Sequence, residues 1–457
     1  MSFSLEEINN ILGFENFKNQ QDKTLNFDSV SIDSRNILPN DLFIAIRGNK
    51  FDGHDFISEV IKKGVRAVII NQDMEKFIPE NYQYWKVPDT LNAFQKIALF
   101  KRKRLRIPVV AITGSVGKTT TKEMTGEVIR NNLGKVKISE KNNNNEIGVG
   151  LTILETKIED KILILEMGMR GKGQIENLSK YSEPDIAVIT NIGNSHIGLL
   201  GSRDNIAKAK CEIVKYLNPR GVVIIPNNDA LLESYLKEEW NGKVLKIMVV
   251  RSEKDKNLTL KTKNLLIGIY YENSNLINID NKFFKISYKG IHNAYNFLFA
   301  YAISKQFDIK FNKFNVFNFK SINGRNKIIK KNKVTILDET YNASPESVKA
   351  CIDVLLKYPG KHFLILGSMK ELGPMSTKYH LEILNLIDRV DIEFCIFVCE
   401  SNEEILIRKN FTSKKVIFKN DKKDIGKIMN SKTRQNDHVL IKGSRFWRLE
   451  EIIPLIK

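Results

Sequence analysis

Cysteine is scarce in this chain: four among 457 residues, at positions 211, 351, 395 and 399. They form no Cys-x-x-Cys pair and no zinc-like spacing, so neither a disulfide framework nor a thiolate zinc site is indicated. Cys395 and Cys399 lie in "EFCIFVCE", which reads as a buried strand, and core thiols are the expectation. Long apolar runs are also missing. None approaches the roughly 20 residues that span a bilayer, so no membrane insertion is expected. The start, "MSFSLEEINNILGF", has acidic residues where a signal peptide has basic ones, and a cytoplasmic protein is expected. Acidic residues are themselves in deficit, 53 against 72 basic, for a net charge of +19. That balance admits nucleic acid, a membrane surface or an anionic substrate. The lysines are scattered, however, and the one dense cluster, "KRKRLR" at 101–106, reads as a solvated helix end whose cations suit the dipole. No nucleic-acid partner is expected.

What is present is a globular composition, 42% hydrophobic and 27% charged, long enough for two to four domains. Three blocks are visible. Residues 1–88 hold short strands around the helical "HDFISEVIKKG". Residues 89–312 alternate strand and helix, with the Val- and Ile-rich runs "IPVVAITG", "KILILEMG", "PDIAVITNIG" and "RGVVIIPN" expected as parallel strands covered on both faces. Within them, 252–288 is polar and reads as an antiparallel insertion. Residues 313–457 restart the alternation with "KVTILDETYN", "HFLILGSM", "EFCIFVCE" and "DHVLIKGS". The expected fold is α/β in three domains, the central one a mostly parallel sheet.

The chemistry concentrates where strands end. "VVAITGSVGKTTTKEM" runs from an apolar strand into Thr113-Gly114-Ser115-Val116-Gly117-Lys118-Thr119-Thr120. A helix N-terminus beyond a parallel strand offers free N–H groups to phosphate. Gly114 and Gly117 permit close backbone approach, Lys118 would reach the terminal phosphates, and the Thr119 hydroxyl would bind magnesium. The spacing departs from the usual phosphate loop, because Ile112 occupies the first glycine's place. The two readings are a tight turn with an incidental lysine and a shortened phosphate loop. Glu166 closes "ILILEMGM", and His196 follows "AVITNIGNSH". Each alone reads as an ordinary surface group. Their recurrence at the sheet edge that carries Lys118 suits Mg²⁺, which takes carboxylate and hydroxyl oxygens, with a histidine completing the shell.

"ITGSVGKTTTKEM", "NNNEIG", "EMGM", "TNIGNSH", "IAKAKCEI" and "IHNAYN" resemble, in order, the motifs of the Mur ligase family. The resemblance covers the chain from first block to last. It implies a small α/β UDP-binding domain, a central ATPase domain of phosphate-loop type, and a Rossmann-like C-terminal ligase domain. "DETYNASPESVKACIDVL", "LGSMKELG" and "LIKGSR" are similar to the branch of the family that adds D-alanyl-D-alanine to UDP-N-acetylmuramoyl-tripeptide. A folylpolyglutamate-type sister is the alternative within this chemistry, and a nucleic-acid-stimulated NTPase the alternative outside it. The uridine-type first domain and the "YNASP" segment argue against the first, and the lack of a full-length phosphate loop and of a separate acidic strand motif argues against the second.

The resemblance further implies ATP and two magnesium ions as cofactors, with metal ligands at Thr119, Glu166, His196 and Lys210, the last as a carbamate. It assigns catalytic roles to Lys118, Lys210 and His196. Nucleotide contacts would come from Asn293, Asn296, Arg325 and Asp338. Substrate contacts would come from Ser34, Arg35 and Asp52, within "DSRNILPNDLFIAIRGNKFDGHDFI", and from Tyr341, Asn342, Lys442, Ser444 and Arg445. Departures from the family pattern occur at Asn40, Lys141, Gly150, Ser195 and Ser368. A monomer is expected.

Overall fold

Val109, Val110, Ala111 and Ile112 are all fully buried in the computed structural model, as a near-continuous apolar run requires of an interior parallel strand. Residues 2–19, 24–48, 50–227, 229–259, 264–331 and 333–457 are described. The strand Val109–Thr113 lies between Leu163–Glu166 and Ile186–Ile189 and is parallel to both. Side chains alternate across it with the period of two. Val109 and Ala111 pack with Val149, Ile153, Ile175 and Leu178 on one face. Val110 and Ile112 pack with Met124, Val128 and Phe297 on the other.

The sheet continues in parallel through Val222–Pro226, Lys243–Val250 and Leu265–Tyr271. It then turns antiparallel through Leu276–Ile279 and Lys282–Ile286. The polar stretch is therefore an extension of the central sheet, not an insertion beside it. Phe314–Phe317 pairs in parallel with Lys282–Ile286 as the tenth strand. The sheet thus runs past the junction expected at residue 312. The third sheet begins with Lys327–Lys330, antiparallel to Val334–Glu339, and continues in parallel through Asp437–Lys442, His362–Gly367, Phe394–Val398 and Val416–Phe418.

A five-stranded sheet forms the first domain, with Trp85 in its core. Helix Thr90–Leu105 joins it to the centre, giving Phe94 and Ile97 to the first core and Ala98 to the second. Its basic end is only partly a solvated surface. Arg102 is buried, donates to the carbonyls of Ser182 at 2.9 Å and Glu183 at 3.0 Å, and pairs with Asp185 at 3.0 Å. Two of the "KRKRLR" cations are internal: Lys101 is buried as well. All four cysteines are free and buried. Among the described residues no helix is long and apolar enough to cross a membrane.

Candidate active site

The chain steps from Val109–Thr113 to an edge strand and back to Leu163–Glu166, then crosses to Ile186–Ile189 on the other side. Such a reversal opens a crevice at the carboxyl ends of the strands. The loop after Val109–Thr113 fills it. Gly114 has φ +146°, and a Cβ there would stand 1.9 Å from Thr190 Oγ1. Gly117 has φ +85°, and a Cβ would stand 2.6 Å from Asn296 Oδ1. Only glycine meets both conditions. The neighbouring strand end braces the loop. Val116 N–H donates to Asn191 Oδ1 at 3.0 Å, Ser115 N–H to the Asn191 carbonyl at 3.1 Å, and Thr190 Oγ1 to the Val116 carbonyl at 2.6 Å. Helix Lys118–Leu133 follows with no side-chain cap, so its first N–H groups remain for an anion.

Lys118 Nζ donates to the Gly114 carbonyl at 2.7 Å. Glu166, buried at the end of its strand, accepts from Thr119 Oγ1 at 2.8 Å and Asn144 Nδ2 at 2.9 Å. Burial pushes its carboxyl upward, but the charges of Lys118, Lys122 and Arg325 and the Asn144 bond outweigh it. The group is held below the ordinary glutamate range. Lys210, on helix Arg203–Cys211, is 2% exposed. Burial, with the Lys118 charge nearby, moves its ammonium well below the usual lysine value.

One cleft of about 1200 Å³ between the central and third domains gathers most of the expected residues. Ser115 to Thr120, Glu166, His196, Lys210, Asn293 and Asn296 line it from the central domain. Arg325, Tyr341, Asn342, Lys442, Ser444 and Arg445 line it from the third domain. Asn296 accepts from Thr121 Oγ1 at 3.2 Å and donates to Asn293 Oδ1 at 3.2 Å, while Asn293 donates to Asn326 Oδ1 at 2.7 Å across the domain boundary. The Arg325 guanidinium stacks 4.0 Å from the Tyr341 ring. Lys442 Nζ donates to the Asn342 carbonyl at 2.9 Å. His196, in a left-handed backbone conformation, meets the Glu371 carboxylate of the third domain through Nδ1.

Six expected residues lie elsewhere. Thr113 ends its strand and Gly114 opens the loop, both buried and outside the cleft lining. Asp338 is buried and turned into its own chain, accepting from Thr340 Oγ1 at 2.7 Å. Its neighbour Glu339 lines the cleft instead, as alternation along a strand dictates. In the first domain, Arg35 is exposed and paired with Asp33 at 2.7 Å, and the carbonyl of buried Ser34 accepts from Lys63 at 2.6 Å. Asp52 caps a short helix, accepting from the His54 backbone at 3.0 Å and from Arg47 Nε at 3.1 Å. None of these three reaches the cleft.

The sequence reading passed over Lys122, Asn144 and Glu371. Lys122 is fully buried, 3.8 Å from Glu166 and 3.1 Å from Glu123. Asn144 stands in the asparagine run, Glu371 in "LGSMKELG" and Lys122 in "ITGSVGKTTTKEM", so all three lie within noted motifs, though nothing local marks Lys122 as a partner of Glu166. Among the described residues no cluster of three or more His, Cys, Asp and Glu forms a metal cage. One carboxylate and one hydroxyl beside a phosphate cradle nonetheless fit Mg²⁺, which binds through one or two protein oxygens plus substrate phosphates.

Residues 26–102 match the family description "Mur ligase family, catalytic domain", 112–304 "Mur ligase middle domain", and 324–445 "Mur ligase, glutamate ligase domain". A UDP-N-acetylmuramoyl-tripeptide–D-alanyl-D-alanine ligase of Synechocystis is 36% identical over 362 residues, 79% of this chain and 76% of that protein. The Bacillus subtilis protein of the same name is 35% identical over 444 residues, 93% of this chain and 92% of its own. The solved structure of the MurF ligase from Thermotoga maritima in complex with ADP has a TM-score of 0.80 at 28% identity, covering 93% of this chain and 96% of that one. Three matched segments in order, on three successive sheets, together with relatives matched over nine-tenths of the chain, place the conclusion beyond the motifs alone: the chain belongs to the Mur ligase family.

Proposed function

We propose that this protein joins D-alanyl-D-alanine to UDP-N-acetylmuramoyl-tripeptide with consumption of ATP. The observation that carries the reading is the single cleft in which an uncapped Gly-Lys-Thr helix start faces Tyr341, Asn342 and Lys442 of the third domain. Its relatives from Synechocystis and Bacillus subtilis bear the corresponding name.

Amide formation from a carboxylate is uphill in water, so the carboxylate is activated first. Its oxygen attacks the γ-phosphorus of ATP, the bond to the β-phosphate oxygen breaks, and an acyl phosphate and ADP result. The dipeptide's amine, having lost a proton, then attacks the acyl carbon. The tetrahedral intermediate collapses with expulsion of phosphate. Phosphoryl transfer asks for positioning and charge neutralisation above all. Lys118 and the free helix N–H groups supply these to the phosphates, and Arg325 closes from the third domain. Thr119 and Glu166, with His196, would hold magnesium, which would supply further neutralisation of phosphate charge. Lys210 carries a carbamate in this reading, which converts a cation into an oxygen ligand for a second ion. Its low basicity supports that role, because carbamate formation needs a neutral amine. Ser34, Arg35 and Asp52 belong to the UDP-sugar site of the first domain. A monomer acting in the cytoplasm completes this reading.

The test is phosphate release from ATP with UDP-muramoyl-tripeptides carrying lysine or diaminopimelate at the third residue. Release should require both the tripeptide and D-Ala-D-Ala. Vigorous hydrolysis driven by DNA or RNA alone would overturn the reading.

A further inference from the structure

The loop Thr190–His196 is held from two sides at once. On one side it braces the phosphate loop: besides the Asn191 contacts, Gly193 N–H donates to Ser115 Oγ at 2.9 Å. On the other it meets the third domain at Glu346, in the first turn of helix Pro345–Leu355. One carboxylate oxygen of Glu346 accepts both from the Asn194 backbone N–H at 2.9 Å and from the Asn194 side-chain amide at 2.6 Å. The fit is close. A Cβ on Gly193 would stand 3.1 Å from the Glu346 carboxylate. A continuous run of bonds thus joins Glu346, Asn194, Gly193 and Ser115, from one domain to the nucleotide loop of another.

Both bonds are charge-assisted, which gives the contact direction as well as strength.

We propose that Glu346 is a positioning residue that transmits docking of the third domain, through Asn194 and Gly193, to the phosphate loop. Loss of Glu346 leaves the bonds to Ser115 and Val116 intact but removes the third domain's hold on Asn194, with only the His196–Glu371 contact still reaching that loop, so the phosphate loop forms but does not tighten fully when the domains close. The kinetic part of this inference rests on the ligase reading. The conformational part does not.

The experiment uses the full chain and hydrogen exchange, with and without a non-hydrolysable ATP analogue. In Glu346→Ala, segments 114–119 and 190–196 should lose at least about tenfold of their analogue-dependent protection, since both charge-assisted bonds to Asn194 are removed. The third-domain strand His362–Gly367 should exchange as in the wild type. Glu346→Gln, which keeps an acceptor for the Asn194 N–H, should restore most of the protection, and it serves as the variant of record where alanine fails to fold. In ligase assays Glu346→Ala should lower kcat about tenfold with the KM for UDP-tripeptide unchanged. Asn194→Ala should do the same, and the double variant should be no slower than the worse single one. Unchanged protection in the two loops, a uniform loss across all domains, or multiplicative effects in the double variant would each overturn the proposal. A wild-type protein inactive as a ligase would refute the ligase reading, while the exchange result would still decide the coupling.

Discussion

Glu166→Gln isolates what one buried charge does for this fold. The side chain keeps its shape. Thr119 can turn its hydroxyl and Asn144 can turn its amide, so both hydrogen bonds, 2.8 and 2.9 Å in the wild type, are recoverable. The charge is not. Lys122 Nζ, fully buried, is 3.8 Å away. At that separation an ion pair is worth about 4 kcal/mol at an effective dielectric of about 20. Against it stands the cost of burying the carboxylate, which is several kcal/mol on its own. The direction of the Glu166 shift decides the sign: the cations outweigh burial, so neutralising the group destabilises. Lys122 retains Glu123 at 3.1 Å and the Ser139 carbonyl at 2.5 Å, which limits the loss to about 2 kcal/mol. Protection of the Val109–Thr113 and Leu163–Glu166 amides against exchange should then fall about 30-fold at pH 7. Because the folded-state value is depressed, the wild type's advantage is full above the ordinary glutamate value of about 4.3 and shrinks as pH falls through the lower folded one. The ratio of wild-type to variant protection should therefore narrow between pH 5 and pH 3. A ratio near one at pH 7, or one that widens in acid, would refute the reasoning.

Lys118→Ala should fold normally and lose turnover by orders of magnitude, since the lost charge faces the transferring phosphate; near-normal phosphate release would make the loop a decoy. Gly117→Ala forces a left-handed conformation worth about 1–2 kcal/mol and drives a methyl at Asn296, so kcat/KM for ATP should drop at least tenfold, while Gly171→Ala, with open space around it, should be neutral. Arg325→Ala should weaken ATP use and leave UDP-sugar affinity intact by calorimetry; equal losses would refute the separation of the two sites. Lys210→Ala should lose most activity, with acetate or formate restoring part of it and bicarbonate restoring none; rescue by small amines would refute the carbamate.

The middle of the central sheet was legible because its strands, such as Val109–Thr113 and Leu163–Glu166, are buried on both faces and read as continuous apolar runs. The third sheet's boundary was not. Phe314–Phe317 carries the pattern "FNVF", half exposed, and its place beside Lys282–Ile286 rests on a pairing that local sequence does not encode. The same limit governs the site. Strand ends announced Lys118, Glu166 and His196, because chemistry there follows from the topology of a parallel sheet. Lys122 was silent, since its partners Ser139 and Glu166 arrive from other elements. Asp338 was named by motif, while alternation along its strand brings the neighbouring Glu339 to the cleft lining, a distinction a motif does not carry.

The spacing of the loop has its own explanation in the fold. A phosphate loop with its first glycine five residues before Gly-Lys-Thr wraps its anion with its own backbone. Here Ile112 stands in that position, fully buried in the strand, and the chain leaves the sheet only at Gly114. Two residues remain between the glycines, too few to hold a cradle open unaided. Thr190 and Asn191 supply the deficit from the adjacent strand, fastening Ser115 and Val116 by four hydrogen bonds. The shortened loop and "TNIGNSH" are therefore two halves of one device. A loop braced by a neighbour also inherits whatever moves that neighbour, and the neighbour here is the segment that Glu346 and Glu371 grip from the third domain. Shortening the loop is what ties phosphate binding to the arrival of the domain that completes the site.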